Sequence, residues 1–250
     1  MPVGFIGTGH VAAPMARALA RHGHDVHVTR RNQSVSRSLV KSFPQITVAT
    51  PQTVLDACDT VFLTLRPNVA EEILTELDFR VEHEIISAMA TISLKRLAAL
   101  CAPATRFART IPFGFLERGG CPLPVFPASG TLTRLFGALN IVIPLNSEEA
   151  LDRHFATSSL IPAVLQMMGT TRDWLVAQGG DAQIEETYVR ALIGGFLADL
   201  GPRGDLSLDG ALGDLATKGT LSLQMVENMI RAGAPAALCA SLDDIAGRSG

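Results

Sequence analysis

PVGFIGTGHVAAPMARAL, residues 2–19, is the stretch on which the fold turns. Residues 2–6 are a short apolar run, as in a buried strand, and Gly7-Thr8-Gly9 breaks it. Val11, Met15, Ala18 and Leu19 then recur with helical spacing, and His22-Gly23 ends that helix. Gly7-Thr8-Gly9-His10-Val11-Ala12 is therefore Gly-x-Gly-x-x-Ala between a strand and a helix, the context in which the motif cradles a dinucleotide. Gly7 permits the tight turn. Gly9 lacks a Cβ, so a pyrophosphate can approach the backbone. Ala12 is small enough for close packing of helix on strand. The helix N-terminus offers free N–H groups and a partial positive charge to the phosphates. Gly7, Thr8, Gly9 and Val11 are thus expected cofactor contacts. His10 either touches a phosphate or fills the turn.

The second strand, 25–29, leads into Thr29-Arg30-Arg31-Asn32. A site for NAD carries Asp or Glu here to bind the ribose 2′-hydroxyl. Two arginines and a hydroxyl suit a 2′-phosphate instead, through charge-assisted and often bidentate hydrogen bonds. Thr29, Arg30 and Arg31 are accordingly assigned to the 2′-phosphate of NADP, the alternative being an arginine that only meets solvent.

Outward from this point, strands are expected at 46–49, 60–65, 84–88, 106–111, around Val125 and at 140–144. Helices are expected at 34–42, 53–57, 69–77 and 94–100. The alternation predicts a Rossmann-type, doubly wound parallel sheet as an α/β domain over 1–147. The character changes near Asn146-Ser147. Over 148–250 only helical periodicity remains, with helices expected at 163–176, 185–200, 208–216, 221–232 and 238–245.

Composition narrows the function classes. Hydrophobic residues make up 47% and charged residues 18%, which is globular, not disordered. A net charge of −3 gives no basic excess for nucleic acid. Cys58, Cys101, Cys121 and Cys239 lack CxxC spacing, so neither a metal site nor a disulfide framework is expected, and all four read as buried free thiols in a reducing compartment. His22, His24 and His27 lack the spacing of a zinc pair. No apolar run reaches the ~18 residues of a membrane span, and the N-terminus opens straight into a strand pattern, so no membrane association and a cytoplasmic location are expected.

Five segments carry a family likeness. GFIGTGHVAAPMARAL (4–19), LTLRPN (63–68), IISAMATISLKRL (85–97), FARTIPF (107–113) and LATKGTLSLQMVENMIRAG (215–233) together resemble the pyrroline-5-carboxylate reductase family over nearly the whole length. That resemblance implies NAD(P)H-dependent reduction of a cyclic imine, with proline as the family's product. It implies helical domains that interlock between subunits, hence a homodimer or higher homo-oligomer, and an active site between the cofactor domain and that helical pair. It also adds Leu65, Arg66, Pro67 and Ala88 to the cofactor contacts. The family's Ser-Pro-Gly-Gly-Thr-Thr helix start matches Thr217 and Ser222 as catalytic hydroxyls, able to orient an imine nitrogen or relay a proton. Ordinary N-capping is the alternative for both.

The substrate side departs from the family. Its Ser-Gly-Ser-Gly-Pro-Ala turn, which helps hold the substrate carboxylate, is Ser158-Ser159-Leu160-Ile161-Pro162-Ala163 here. Its Pro-Gly-Gly is Lys218-Gly219-Thr220, the Asn of its Met-Pro-Asn turn is Phe113, and the segment 129–133 is shortened. Ser158, Ser159, Lys218 and Gly219 are the expected substrate contacts. Lys218 either supplies positive charge or is a solvated residue at a helix start. Cofactor-side elements survive and substrate-side elements change, as expected of a relative acting on a different, bulkier or more apolar imine. Two other readings stand beside this one. A 3-hydroxyacid dehydrogenase or F420-type oxidoreductase shares the layout, although Lys218 and Asn228 are loosely placed for the former's Lys and Asn. A non-catalytic NADP(H)-binding sensor or partner module would explain the altered substrate turn.

Overall fold

A computed structural model describes residues 2–30, 33–201 and 207–247. One compact unit runs to Phe155 and a second begins at Ala156. In the first, eight strands alternate with helices: β1 (Val3–Ile6), α1 (Ala12–Arg21), β2 (Val26–Thr29), α2 (Gln33–Ser42), β3 (Ile46–Ala49), α3 (Pro51–Ala57), β4 (Thr60–Leu63), α4 (Pro67–Thr75), β5 (Glu84–Ser87), α5 (Leu94–Leu100), β6 (Arg106–Thr110), β7 (Pro122–Phe126), α6 (Gly130–Phe136) and β8 (Ile141–Pro144). The sheet order is β3-β2-β1-β4-β5-β6-β7-β8. β1 and β4 are neighbours, but the chain leaves them toward opposite edges. Their carboxyl ends therefore form the crevice at which doubly wound sheets bind ligands.

The central strands β1 and β4 are buried on both faces, which is why they read as unbroken apolar runs. Val3, Phe5, Val26, Val28 and Phe62 face one core with α1. Ile6, Val61, Leu63 and Ile85 face the other with α3, α4 and α5. Phe5 and Phe62 stack across the β1–β4 pair at 5.0 Å. α3 sits so close to β1 that a Cβ at Gly4 would lie 2.6 Å from the Val54 side chain.

Three features depart from expectation. β7 runs antiparallel to β6, because a 3-10 helix at Gly114–Arg118 and a short loop return the chain with no crossover helix. α6 lies where no helix is expected, with Ser129 capping it by accepting from the Leu132 amide at 3.1 Å. Its seven residues open on glycine and carry too few apolar positions to show a helical period. Third, Cys58, Cys101 and Cys121 are buried as expected, but Cys239 is exposed.

The second unit is helical. α7 (Glu148–Ser158) begins in the first unit and ends in the second, where α8 (Leu160–Ala177), α9 (Ala182–Leu200), α10 (Leu208–Leu215), α11 (Leu221–Arg231) and α12 (Ala234–Ala246) follow. α8 packs on α9 and α11 on α12, yet α8, α11 and α12 bury no residue. Leu165, Trp174, Ile184, Tyr188, Leu192 and Leu221 are all more than half exposed. An apolar surface of this extent on a helical unit marks an interaction face.

Candidate functional site

The glycine loop leaves β1 at the crevice and is pinned from both neighbouring strands. The Gly7 amide donates to the Thr29 hydroxyl at 2.9 Å, and the Thr8 hydroxyl donates to the Thr29 carbonyl at 2.6 Å. From β4, the Thr64 hydroxyl donates to the Gly7 carbonyl. Gly7 has φ +100°, and a Cβ there would stand 2.7 Å from the Thr64 carbonyl oxygen, so only glycine suits the position. Thr29, read as a ligand of a 2′-phosphate, is 3% exposed and holds the loop with its hydroxyl. Thr64 escaped the sequence reading because a lone threonine at a strand end has no local signal; its partner is set by the β1–β4 register.

Gly9 is different. A Cβ there would meet no atom within 4 Å, so the position opens onto free space. Directly beyond it α1 starts with no side-chain cap and no acidic residue in its first turn. α3, α5, α6, α9, α10 and α11 are each capped by a side-chain oxygen, whereas α4, α8 and α12, like α1, are not. Uncapped N–H groups, a helix dipole and an open backbone approach together make an anion cradle. His10 beside it is exposed and Val11 half-buried.

A cleft of about 450 Å³ adjoins the crevice, lined by Ile6, Thr29, Arg30, Ala49, Thr50 and Leu65 among others. Arg30 is exposed there, and Arg31 lies outside the described residues. Leu65 is buried after β4, Arg66 is exposed, and Pro67 opens α4. The Ala88 amide donates to the Leu63 carbonyl at 2.9 Å, which holds the exit of β5 beside that of β4.

A buried arginine, absent from the expected site, fixes the next loop. Arg109 on β6 has a side chain only 2% exposed. It donates to Glu148 at 2.6 Å, to Asp152 at 2.9 Å and to the Ala90 carbonyl at 2.7 Å, and lies over the Phe155 ring. Glu148 also accepts from the Leu94 amide at the start of α5. One guanidinium thus ties the β5–α5 loop to the first turns of α7. An arginine inside a strand reads as an edge residue until its two carboxylates, distant in sequence, are brought to it.

In the helical unit, the Ser159 hydroxyl donates to the Ala156 carbonyl at 2.6 Å, at the one-residue joint between α7 and α8. Ser158 is the last residue of α7. The N-cap of α11 is Thr220, whose hydroxyl accepts from the Leu223 amide at 3.2 Å and donates to the Thr217 carbonyl at 2.7 Å. Capping therefore accounts for neither Thr217 nor Ser222. Ser222 is exposed at the second residue of the helix, and its hydroxyl has no hydrogen-bond partner among the described residues. Lys218 and Gly219 are exposed in the preceding turn, where Gly219 has φ +87°. No group of metal-ligating side chains occurs among the described residues, and no described helix is long and apolar enough to cross a membrane.

A pinned glycine loop, an open cradle at a bare helix end and an all-helical second unit are joined in one chain. Residues 2–91 match the family model described as NADP oxidoreductase, coenzyme F420-dependent. A 1-pyrroline-5-carboxylate reductase from Streptococcus pyogenes superposes with a TM-score of 0.83 at 19% identity, over 100% of this chain and 98% of that one. The chain has the fold of the pyrroline-5-carboxylate reductases. The same layout recurs in a reductive aminase from Aspergillus terreus solved with NADPH and ethyl-5-oxohexanoate, with a TM-score of 0.59, 17% identity, and 93% and 94% of the two chains covered. In sequence, pyrroline-5-carboxylate reductase 3 of Macaca fascicularis is 30% identical over 116 residues, 44% of this chain and 42% of that protein. The 2-hydroxy-3-oxopropionate reductase of Escherichia coli (strain K12) is also 30% identical, over 148 residues, 57% of this chain and 46% of that protein. The chain thus spans less than half the length of the curated relatives it matches. The family model covers residues 2–91, and the likeness of fold runs over the whole length.

Proposed function

We propose that this protein is an NADP(H)-dependent reductase of a cyclic imine, transferring hydride to a C=N bond. The observation that carries the reading is the cradle at Gly9. The loop is held by Thr29 and Thr64, the space above Gly9 is open, and the α1 N-terminus has no cap of its own. A pyrophosphate suits that cradle in charge and in backbone approach.

In this reading the backbone of Gly7, Thr8, Gly9, His10 and Val11 holds the pyrophosphate. Arg30 and Arg31 take the 2′-phosphate. Leu65, Arg66, Pro67 and Ala88 border the cofactor along the β4 and β5 exits. When bound, NADPH supplies the hydride. The chain's own task is mainly positioning, because a protonated imine already accepts hydride. Ser222 and Thr217 offer hydroxyls to the imine nitrogen, and Ser158, Ser159, Lys218 and Gly219 contact the substrate. Residues 1–147 act as the cofactor domain, and 148–250 as the substrate and dimerisation domain of a cytoplasmic homodimer or higher homo-oligomer. The apolar faces of α8 and α9 favour that assembly, since a lone helical unit leaves them in water.

The likeness to 2-hydroxy-3-oxopropionate reductase favours a second reading, reduction of a carbonyl in a small hydroxyacid system. One experiment separates the two: loss of NADPH absorbance over a panel of cyclic imines, including pyrroline-5-carboxylate, and of oxo acids. Imine turnover supports the proposal, and turnover of oxo acids alone transfers it to the second reading. NADPH binding with no turnover leaves a cofactor-binding module.

A further inference from the structure

We infer that Phe113 and Phe115 form an aromatic wall beside the glycine loop that selects imines bearing an apolar or aromatic substituent over carboxylate-bearing ones. The inference rests on the imine-reductase reading. The two rings stack at 5.8 Å between centroids with an interplanar angle of 11°. Gly114 lies between them, and a Cβ there would sit 3.8 Å from the His10 carbonyl oxygen, so this loop abuts the glycine loop directly.

The support is rigid. Leu116 is fully buried in the core shared with α1. Glu117 pairs with Arg17 and lies 3.9 Å from Arg21, both on α1. The Gly120 amide donates to the Leu139 carbonyl at 2.7 Å, closing the far side. Phe113 leans on that core while Phe115 is 41% exposed. A ring held in water by a fastened loop gains by covering its face with apolar ligand surface. The change at Phe113 replaces the Asn implied by the family resemblance, and Leu160 and Ile161 stand where the carboxylate-holding turn implied by it has Ser and Gly. Two separate segments have moved in one direction, from polar or bare backbone to apolar side chain.

The test is made on the full-length protein. Wild type, Phe115→Ser and Phe113→Asn are compared for kcat/KM on a phenyl-substituted pyrroline and on pyrroline-5-carboxylate, with the KM for NADPH recorded alongside. Wild type is expected to prefer the phenyl imine. Phe115→Ser should lower the phenyl-to-carboxylate ratio by about tenfold or more, the range set by pocket contacts, through KM for the phenyl imine and with the NADPH KM unchanged. Phe115 is exposed, so this variant keeps the fold even if Phe113→Asn does not. As a second readout, calorimetry on NADP⁺-saturated protein should show phenylpyrrolidine binding more tightly than proline, with the difference lost in Phe115→Ser. An unchanged ratio, equal loss on both substrates with a raised NADPH KM, or a wild-type preference for pyrroline-5-carboxylate would each overturn the wall while leaving imine reduction intact. Absence of turnover on any imine would overturn both.

Discussion

The Gly7 amide reaches the Thr29 hydroxyl at 2.9 Å across 22 residues of chain, and this one bond sets the glycine loop against the end of the neighbouring strand. Both groups are buried, so the acceptor cannot be replaced by water. Thr29→Val keeps the shape and removes the acceptor. It should cost about 1–3 kcal/mol, the desolvation of an unpartnered buried amide, and weaken NADPH binding through the displaced loop. Thr29→Ser should restore both. Urea denaturation together with NADPH titration measures the pair of effects.

Gly7 and Gly9 should separate folding from binding. Gly7→Ala places a Cβ against the Thr64 carbonyl at a positive φ and should lower stability by more than ~1 kcal/mol. Gly9→Ala meets nothing and should fold normally, yet weaken NADPH by obstructing the phosphate. A Gly9→Ala protein that binds NADPH as wild type does would remove the pyrophosphate from this loop.

Arg30 lines the cleft beside Thr29 and Leu65. Arg30→Ala, alone and with Arg31→Ala, should reduce the NADPH over NADH preference by tenfold or more, since a hydrogen bond to a charged group contributes about 1.5–3 kcal/mol. NADH affinity should hardly change. Comparing Kd for the two cofactors by fluorescence titration decides it.

Arg109→Leu would leave Glu148 and Asp152 facing each other without their cation. The expected loss is about 3–5 kcal/mol, as for a buried pair broken on one side. Adding Glu148→Gln and Asp152→Asn should recover part of it. Denaturation midpoints of this three-residue series, including Arg109→Lys, provide the check; lysine lacks the fork and should rescue poorly.

His83 gives a pH dependence. It is fully buried, its Nδ1 accepts from the Arg80 amide at 2.9 Å, and its Nε2–H donates to the Leu55 carbonyl at 3.0 Å. Burial holds its pKa below the ordinary 6.5, with the Arg80 charge adding to the effect and the Leu55 carbonyl opposing it. Between the lowered native value and 6.5 the unfolded chain binds the extra proton, so stability rises with pH there. The contribution is complete above 6.5 and is lost as pH falls below it. His83→Gln should flatten the slope of unfolding free energy measured from neutral pH down to pH ~5, whose expected window follows from the unfolded histidine value.

Much of the α/β half was legible because its signals are local. An apolar run, two glycines and a small residue at fixed spacing specify strand, turn and helix start without reference to anything distant. The absence of an acid after β2 is equally local. α6 and the antiparallel β7 were not legible. A seven-residue helix has too few turns to show a period, and strand direction depends on how the connecting loop packs, not on the strand's own residues.

The sequence by itself determined the α/β-then-helical order and the glycine loop, because each is written in residues a few positions apart. Only the tertiary structure decided that Thr29 and Thr64 clamp Gly7, that Arg109 joins Ala90 to Glu148 and Asp152, and that Gly114 stands against the His10 carbonyl. Those partners lie far apart in the chain. A hydrogen bond or ring contact needs atoms within a few ångströms, and sheet register, not sequence spacing, brings them there.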